Sequence, residues 1–413
     1  MAIQQSRRHA LPAPSPIFYY AILPLLRLYL FIKYNYRKPK SLPPIPKDAP
    51  FVVLGSHASN LDFLFTFVAL YPHRMNALVS SYFFDNKALG LLLTSLRCIP
   101  RKQFSADPAS IRAMLGVIKR NGSVLLYPEG EVNGTGRFYS MPPGIGRMCK
   151  LMGASVYAAV NSGSYMTRPK WGCCERKGRV ECKVTLVADA AAVRELSARD
   201  LDARIQKALY YDDHAWQKQA RVPFKRGDRA TGLENMLYKC PRCGAEGKMR
   251  ARGDTLSCAA CQNGARMDVY GLLHPVKKGD IIFDNVADWV QFERDALKAE
   301  TALPDFRMQH KASILLRTGA DREGYVPAGG GVMGIDRDFI TYEGVRQGKR
   351  VSLRFALKDF YKTPFKSGAH MEIPGEDDPK IALVPDNPQL LEKYVLAVEA
   401  LYALREQQEA TKA

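Results

Sequence analysis

His57 and Asp62 stand five positions apart in the run His57-Ala-Ser-Asn-Leu-Asp62, directly after the apolar stretch 51–54. Where a strand passes into a helix, that spacing lets a carboxylate meet one ring nitrogen of the imidazole. The other nitrogen is then open to take a proton. A neutral histidine whose tautomer is fixed in this way is a general base near neutral pH, and such proton transfer contributes about 10²–10⁴-fold in rate. The chain leaves the strand through Gly55, and Ser59 or Asn60 is placed to cap the helix that follows. A second carboxylate, Glu129, lies in Pro128-Glu129-Gly130, a tight turn after the apolar run 124–127. This puts it at the C-terminal edge of a sheet, where ligands bind in open α/β folds. Arg101, in Ile99-Pro-Arg101, stands at what reads as another strand end, and Arg137 follows Gly134 and Gly136.

In chain order, the His-x4-Asp pair, Arg101, the Pro-Glu-Gly turn and a hydrophobic strand at 155–160 resemble the four blocks of the glycerolipid acyltransferase family, typified by 1-acylglycerol-3-phosphate acyltransferases. The resemblance covers roughly 45–235. It implies transfer of an acyl chain from acyl-CoA or acyl-carrier protein to a lysophospholipid, most of all 1-acylglycerol-3-phosphate, giving phosphatidic acid. His57 and Asp62 would be catalytic. Ser59, Arg101, Glu129, Gly130 and Arg137 would bind substrate: Ser59 and Gly130 as backbone donors to an oxyanion, Glu129 by holding an acceptor hydroxyl or an arginine. A plain helix N-terminal charge is the alternative for Glu129. The chain also departs from the pattern. Val132 stands where an arginine is usual, so a phosphorylated acceptor would need other cations, with Arg101 and Arg137 the nearest by motif; Ser56, Ser95 and Tyr157 depart as well.

The elements that must position these residues alternate. A helix over 108–118 starts at Asp107-Pro108 and stops at Asn121-Gly122, a second runs near 143–152 to Gly153, and strands fall at 124–127, 155–160 and near 180–187. This predicts an α/β fold, a mixed sheet with flanking helices, over 41–235. At 413 residues and 46% hydrophobic the chain is long enough for more than one core. Its net charge of +19 implies a polyanionic partner, either nucleic acid or an anionic membrane face.

Residues 1–40 decide for the membrane. They hold Arg7, Arg8, Arg27, Lys33, Arg37, Lys38 and Lys40 with no acidic residue, and most of these bracket the Tyr- and Leu-rich run 17–32. That run is too short and too interrupted by Pro24 and Arg27 to span a bilayer. It reads as an interfacial anchor on the cytoplasmic face, monotopic or peripheral. A signal peptide lacks a small-residue cleavage site here, and a helix covering the catalytic domain is the remaining alternative. A nucleic-acid-binding protein, the rival function, has no use for such a segment, although the basic residues near the cysteine pairs described next would suit one.

Cys240-Pro-Arg-Cys243 and Cys258-Ala-Ala-Cys261 form two pairs separated by fourteen residues, with a hairpin turning at Gly253-Asp254 between them. Four thiolates predict a closed, structural Zn2+ site in a zinc ribbon at 236–275, with disulfides as the alternative. Nine cysteines, an odd total, suit a reducing compartment. Over 276–413 short strands at 314–317, 331–335, 339–342, 350–355 and 381–384 precede a helix from Asn387-Pro388 with an apolar stripe from Leu390 to Leu404. This β-rich domain resembles a pleckstrin-homology or GRAM-type domain in arrangement alone. The remaining histidines are assigned no role, and Asp212-Asp213-His214 reads as a helix surface.

Overall fold

Phe51–Gly55 is buried at every position, the pattern of a central strand in a parallel sheet, and it forms β1. Around it the computed structural model, which describes residues 12–84, 86–102, 107–317, 324–359, 361–373 and 380–412, builds a six-stranded sheet. Its other strands are β2 (Met75–Ser80), β3 (Ile99–Arg101), β4 (Ser123–Leu126), β5 (Ser155–Ser162) and β6 (Glu181–Ala188), in the order β3-β2-β4-β1-β5-β6. The first five strands are parallel and β6 pairs antiparallel with β5. Because β1 lies between β4 and β5, the loops leaving those three strands emerge side by side at one edge of the sheet.

Local chemistry accounts for the flanking helices. Asp107 accepts from the Ser110 N–H and caps Pro108–Ile118, while Ile145–Met152 stops at Gly153 in the left-handed region. The helix after β1 begins at Asp62 and ends at Ala69; its N-cap is Leu61 and carries no side-chain cap, and Ser59 Oγ accepts from the Leu61 N–H in the turn before it. Gly55 is required at the strand end. A Cβ there would lie 2.3 Å from the Tyr127 ring, which packs across it.

The amino-terminal helix, Pro16–Tyr34, packs on the first unit, as the alternative of a covering helix expects. Tyr19, Leu23, Leu30 and Tyr34 are buried in the same core as Phe51, Phe65 and Tyr157. Tyr19 Oη donates to the His73 carbonyl and Tyr36 Oη to that of Phe65. The reason lies in the periodicity: Tyr19, Leu23, Leu30 and Tyr34 recur on one helical face, which finds an apolar partner in the Asp62–Ala69 helix. The other face leaves Ile17, Leu25, Leu28, Phe31 and Ile32 exposed. Arg7 and Arg8 lie outside the described residues. No helix among the described residues is long and apolar enough to cross a membrane.

Two units divide the chain, Met1–Lys170 with Cys174–Lys225 and Trp171–Cys173 with Arg226–Ala413. The boundary thus falls ten residues before the expected 235. Ala230 donates to the Gly253 carbonyl and Arg229 pairs with Asp254, which ties this stretch to the second unit. The cysteine region and the following β-rich region, expected as separate domains, form that single unit. Gln389 donates to the Met249 carbonyl, Asn387 to that of Gly247, and Lys393 pairs with Glu246.

Within the second unit, β7 (Met249–Arg252), β8 (Thr255–Cys258), β9 (Gly264–Met267) and β10 (Leu273–Pro275) make a four-stranded antiparallel sheet, with the β7–β8 turn at Gly253. The helix Val286–Ala302, which the sequence reading did not foresee, follows. Seven more strands make an antiparallel sheet, β11 (Arg307–Arg317), β12 (Tyr325–Asp336), β13 (Phe339–Arg346), β14 (Lys349–Ala356), β15 (Phe365–Lys366), β16 (His370–Glu372) and β17 (Ile381–Pro385), in the order β14-β13-β12-β11-β17-β16-β15. The closing helix Leu391–Lys412 is buried on all sides over 391–398, so it forms a core element and not only a docked stripe.

The Gly55 contact predicts a measurable cost. Gly55→Ala should lose about 1–3 kcal/mol in chemical denaturation, the usual range for overpacking. Adding Tyr127→Leu should recover part of the loss; a Gly55→Ala protein as stable as wild type shows that the ring moves aside freely.

Candidate active site

The turn after β1 and the first residue of the next helix bring His57 and Asp62 together, with Nδ1 3.6 Å from Oδ2. This is longer than a hydrogen bond, yet close enough to attract a charged imidazolium; catalytic contacts of this kind commonly tighten when substrate binds. The Asp62 carboxylate is fully buried and the His57 side chain keeps 22% exposure. Nδ1 is the buried nitrogen, so the exposed side of the ring is the one that carries Nε2. The Tyr127 ring lies along the imidazole, centroids 4.7 Å apart.

Among the described residues Asp62 has no basic partner within salt-bridge range except His57, and three donors reach its carboxylate. The Ser59 N–H donates to Oδ2 at 2.7 Å, Ser164 Oγ to Oδ1 at 2.5 Å, and Asn161 Nδ2 lies 3.3 Å from both Oδ1 and the Asp62 carbonyl. Ser59, expected to serve the substrate, is buried and spent on this carboxylate, while its Oγ accepts from the Leu61 N–H. These donors replace the water that a buried carboxylate loses. The sequence offered one signal for Asn161 and Ser164: polar residues directly after an apolar strand, at the edge where sites form.

Glu129 reaches the same place from β4, the neighbour of β1. Its Oε1 accepts from the His57 N–H at 2.8 Å, and Oε2 accepts from Tyr211 Oη at 3.1 Å and Asn133 Nδ2 at 3.2 Å. The Asn133 N–H in turn donates to the His57 carbonyl. Both Glu129 oxygens are therefore occupied by the protein, and the side chain is 4% exposed. It holds the His57 backbone, in place of the substrate hydroxyl, the arginine or the helix charge expected of it. Burial raises the Glu129 carboxyl above its ordinary value, opposed mainly by the His57 N–H. The Gly130 N–H, a suggested oxyanion donor, bonds the Tyr127 carbonyl and closes the turn with φ +78. Nothing in the sequence marked Tyr211, which comes from far along the chain.

The cations expected at a phosphate have different situations. Arg137 Nε pairs with Asp212 at 2.6 Å, and Asp212 also caps the helix Asp213–Ala220, so this guanidinium is anchored to the scaffold. Arg101 ends β3, which runs parallel to β1 and three strand spacings away, roughly 14 Å, so it faces the same edge of the sheet. Asp213 and His214, expected on a helix surface, are buried: His214 Nε2 bonds the Thr135 carbonyl, and Asp213 accepts from the Gly163 and Tyr165 N–H groups on either side of Ser164.

The second unit carries a separate cluster. The sulfurs of Cys240, Cys243, Cys258 and Cys261 all lie within 4.8 Å of one another. Cys240–Cys261 at 3.7 Å and Cys243–Cys258 at 3.8 Å match the separation of about 3.8 Å that follows from metal–sulfur bonds of about 2.3 Å in a tetrahedron. They are far too long for a disulfide. Two similar knuckles present them: the Cys240 N–H bonds the Ala245 carbonyl and the Cys258 N–H that of Asn263, with Gly244 and Gln262 in the left-handed region. The donor set and its geometry fit a soft divalent metal with no open position.

Residues 35–162 match the family described as Acyltransferase. A 1-acyl-sn-glycerol-3-phosphate acyltransferase of Bacillus subtilis (strain 168) is 24% identical over 86 residues, which are 21% of this chain and 43% of that protein. The chain thus spans less than half the length of this curated relative. Among solved structures, the 1-acyl-sn-glycerophosphate acyltransferase PlsC from Thermotoga maritima shares 16% identity and a TM-score of 0.40, over 46% of this chain and 78% of that one. The His-x4-Asp geometry lies inside the matched segment, so residues 35–162 are similar to the glycerolipid acyltransferases.

Asp213 yields a pH prediction. Burial pushes its carboxyl up to about 8, against the pull of the two N–H donors and with help from the Asp62 charge. The folded state then keeps a proton that the unfolded chain releases in the ordinary carboxylate range, so stability falls as pH rises toward 8. Urea unfolding followed from pH 5 to 8 should show this decline flattened in Asp213→Asn. Glu129 leaves a residual slope in both proteins; equal slopes would assign the titration elsewhere.

Proposed function

We propose that this protein is a membrane-associated O-acyltransferase that moves an acyl chain from acyl-CoA or acyl-carrier protein to a lysophospholipid, foremost 1-acylglycerol-3-phosphate. The observation that carries the reading is the buried carboxylate, held by three donors, beside a histidine whose far side is open. Nε2 of His57 takes the proton of the acceptor hydroxyl as its oxygen attacks the thioester carbonyl. Asp62, held in place by Ser164, Asn161 and the Ser59 N–H, stabilises the imidazolium. The tetrahedral intermediate expels the thiolate, which takes the proton back from Nε2. The products are an ester and a free thiol, with no acyl-enzyme. Arg101 is the cation at the correct edge for an acceptor phosphate. An acceptor without phosphate is a second reading, favoured by the commitment of Arg137 to Asp212 and by Val132.

Peripheral attachment follows from the amino-terminal helix, whose exposed Ile17, Leu25, Leu28, Phe31 and Ile32 suit the interfacial layer of a bilayer. For the second unit we propose one structural Zn2+ on Cys240, Cys243, Cys258 and Cys261, which ties two knuckles of a ribbon together and takes no part in acyl transfer.

His57→Ala should lower kcat at least about a hundredfold without moving either KM. Ser164→Ala should lower kcat about tenfold, because Asp62 loses one of the donors that fix its carboxylate beside His57. A thioester assay with a panel of lysolipids and neutral alcohols reads both and ranks the acceptors. More than a tenth of wild-type turnover in His57→Ala sinks the general-base assignment.

Metal analysis should find one zinc per chain. Removing it with a strong chelator should shift the fluorescence of Trp289, whose Nε1 donates to the carbonyl of Lys239 beside the first knuckle. Reduced protein that holds no zinc, or Cys240 found in a disulfide, counts against the site.

A further inference from the structure

One face of the amino-terminal helix has a use that the acyl-transfer site does not account for. Pro24, Arg27, Leu28 and Phe31 recur at helical spacing and form one wall of a groove of about 910 Å³. The extended segment 36–42 forms the opposite wall, and Val68, Ala69 and Tyr71 close the end. None of His57, Asp62, Arg101 and Glu129 lines it. The helix Asp62–Ala69 separates the two places, with Asp62 in the active site at its first residue and Ala69 at the groove at its last, about 10 Å along the axis.

The groove combines apolar walls with four cations, Arg27, Arg37, Lys38 and Lys40, and no acidic residue lines it. Among the described residues none of the four forms an ion pair, whereas Lys33, on the same helix, is paired with Glu175. Four like charges gathered without a counter-charge repel one another, and an anion relieves that repulsion. The apolar side chains beside them decide what kind of anion. Leu28 and Phe31 in the groove continue into exposed Leu25 and Ile32, so an occupant must present acyl chain and negative charge side by side.

We propose that this groove is a second lipid site, which seats the phosphodiester headgroup of an anionic bilayer phospholipid against Arg27, Arg37, Lys38 and Lys40, with an acyl chain along Leu28 and Phe31. This rests on the peripheral attachment proposed above and deepens it. The helix inserts by its apolar face, and the groove makes attachment selective for anionic lipid. A fixed site differs from a diffuse basic surface because the position of the charges matters and not only their number.

Flotation of the full chain with vesicles tests this. The groove variant is Arg27→Ser with Lys38→Ser and Lys40→Ser. The control removes the same charge from an exposed helix of the same unit, Arg199→Ser with Arg204→Ser and Lys207→Ser. On phosphatidylcholine vesicles doped with phosphatidylglycerol, the groove variant should bind about a hundredfold more weakly than wild type, about fivefold per charge at a surface, and the control less than about threefold. On phosphatidylcholine alone, wild type and both variants should bind alike. Wild type that ignores both vesicles overturns peripheral attachment itself. Wild type that binds the doped vesicles while both variants lose equally overturns the groove and leaves attachment standing. The turnover of detergent-dispersed substrate should be unchanged in the groove variant. A raised KM for a phosphorylated acceptor there makes the groove part of the acceptor site and overturns its independence.

Discussion

A carboxylate buried without a permanent cation is among the most costly groups a protein can carry, and the first unit is organised around one. Asp62 remains acceptable in the interior because Ser59, Asn161 and Ser164 supply the donors that water would have supplied. Those donors come from the turn after β1 and from the end of β5, so the parallel pairing of these strands is what satisfies the charge. The pairing is itself fixed by apolar residues buried on both faces of β1. Removing any one of these elements leaves Asp62 unsatisfied, and with it the orientation of His57.

The neighbouring strand on the other side makes a complementary provision. β4 delivers Glu129, which takes the His57 N–H, while Asn133 takes the His57 carbonyl from the far side of the turn. His57 is thus fixed at its backbone by one strand end and oriented at its ring by another. The Pro-Glu-Gly turn therefore bears on the backbone of His57, and in the proposed mechanism substrate contact comes from other groups on the same edge. Arg101 remains on that edge, whereas Arg137 is drawn back into the scaffold by Asp212.

The amino-terminal helix shows how one segment can serve two environments. Its Tyr and Leu residues at core-facing positions close the unit, and each buried hydroxyl among Tyr19, Tyr34 and Tyr36 finds an acceptor. Its opposite face remains apolar, although a water-exposed helix ordinarily turns charge outward. That contrast is the observation on which the proposed lipid contact rests.

Much of the first unit was legible in the sequence, because its signals are local. Apolar runs bounded by glycine and proline marked β1, β4 and β5; Asp107-Pro108 and Gly153 marked helix ends; and five-residue and three-residue spacings marked the His57–Asp62 pair and the cysteine knuckles. The short strand β2 and the helix Val286–Ala302 lacked so plain a signal and were missed. What the sequence by itself determined is therefore the chemistry available: a base with its carboxylate, four thiols in two pairs, and a basic and apolar amino terminus. The tertiary structure alone decided what each group does with its lone pairs and protons. It assigned Glu129 to His57, Ser59 and Ser164 to Asp62, and Arg137 to Asp212, and it gave the amino-terminal helix a buried side. Hydrogen-bond and ion-pair partners are chosen by proximity in space, and the residues that satisfy Asp62 and Glu129 come from as far as 102 and 82 positions along the chain.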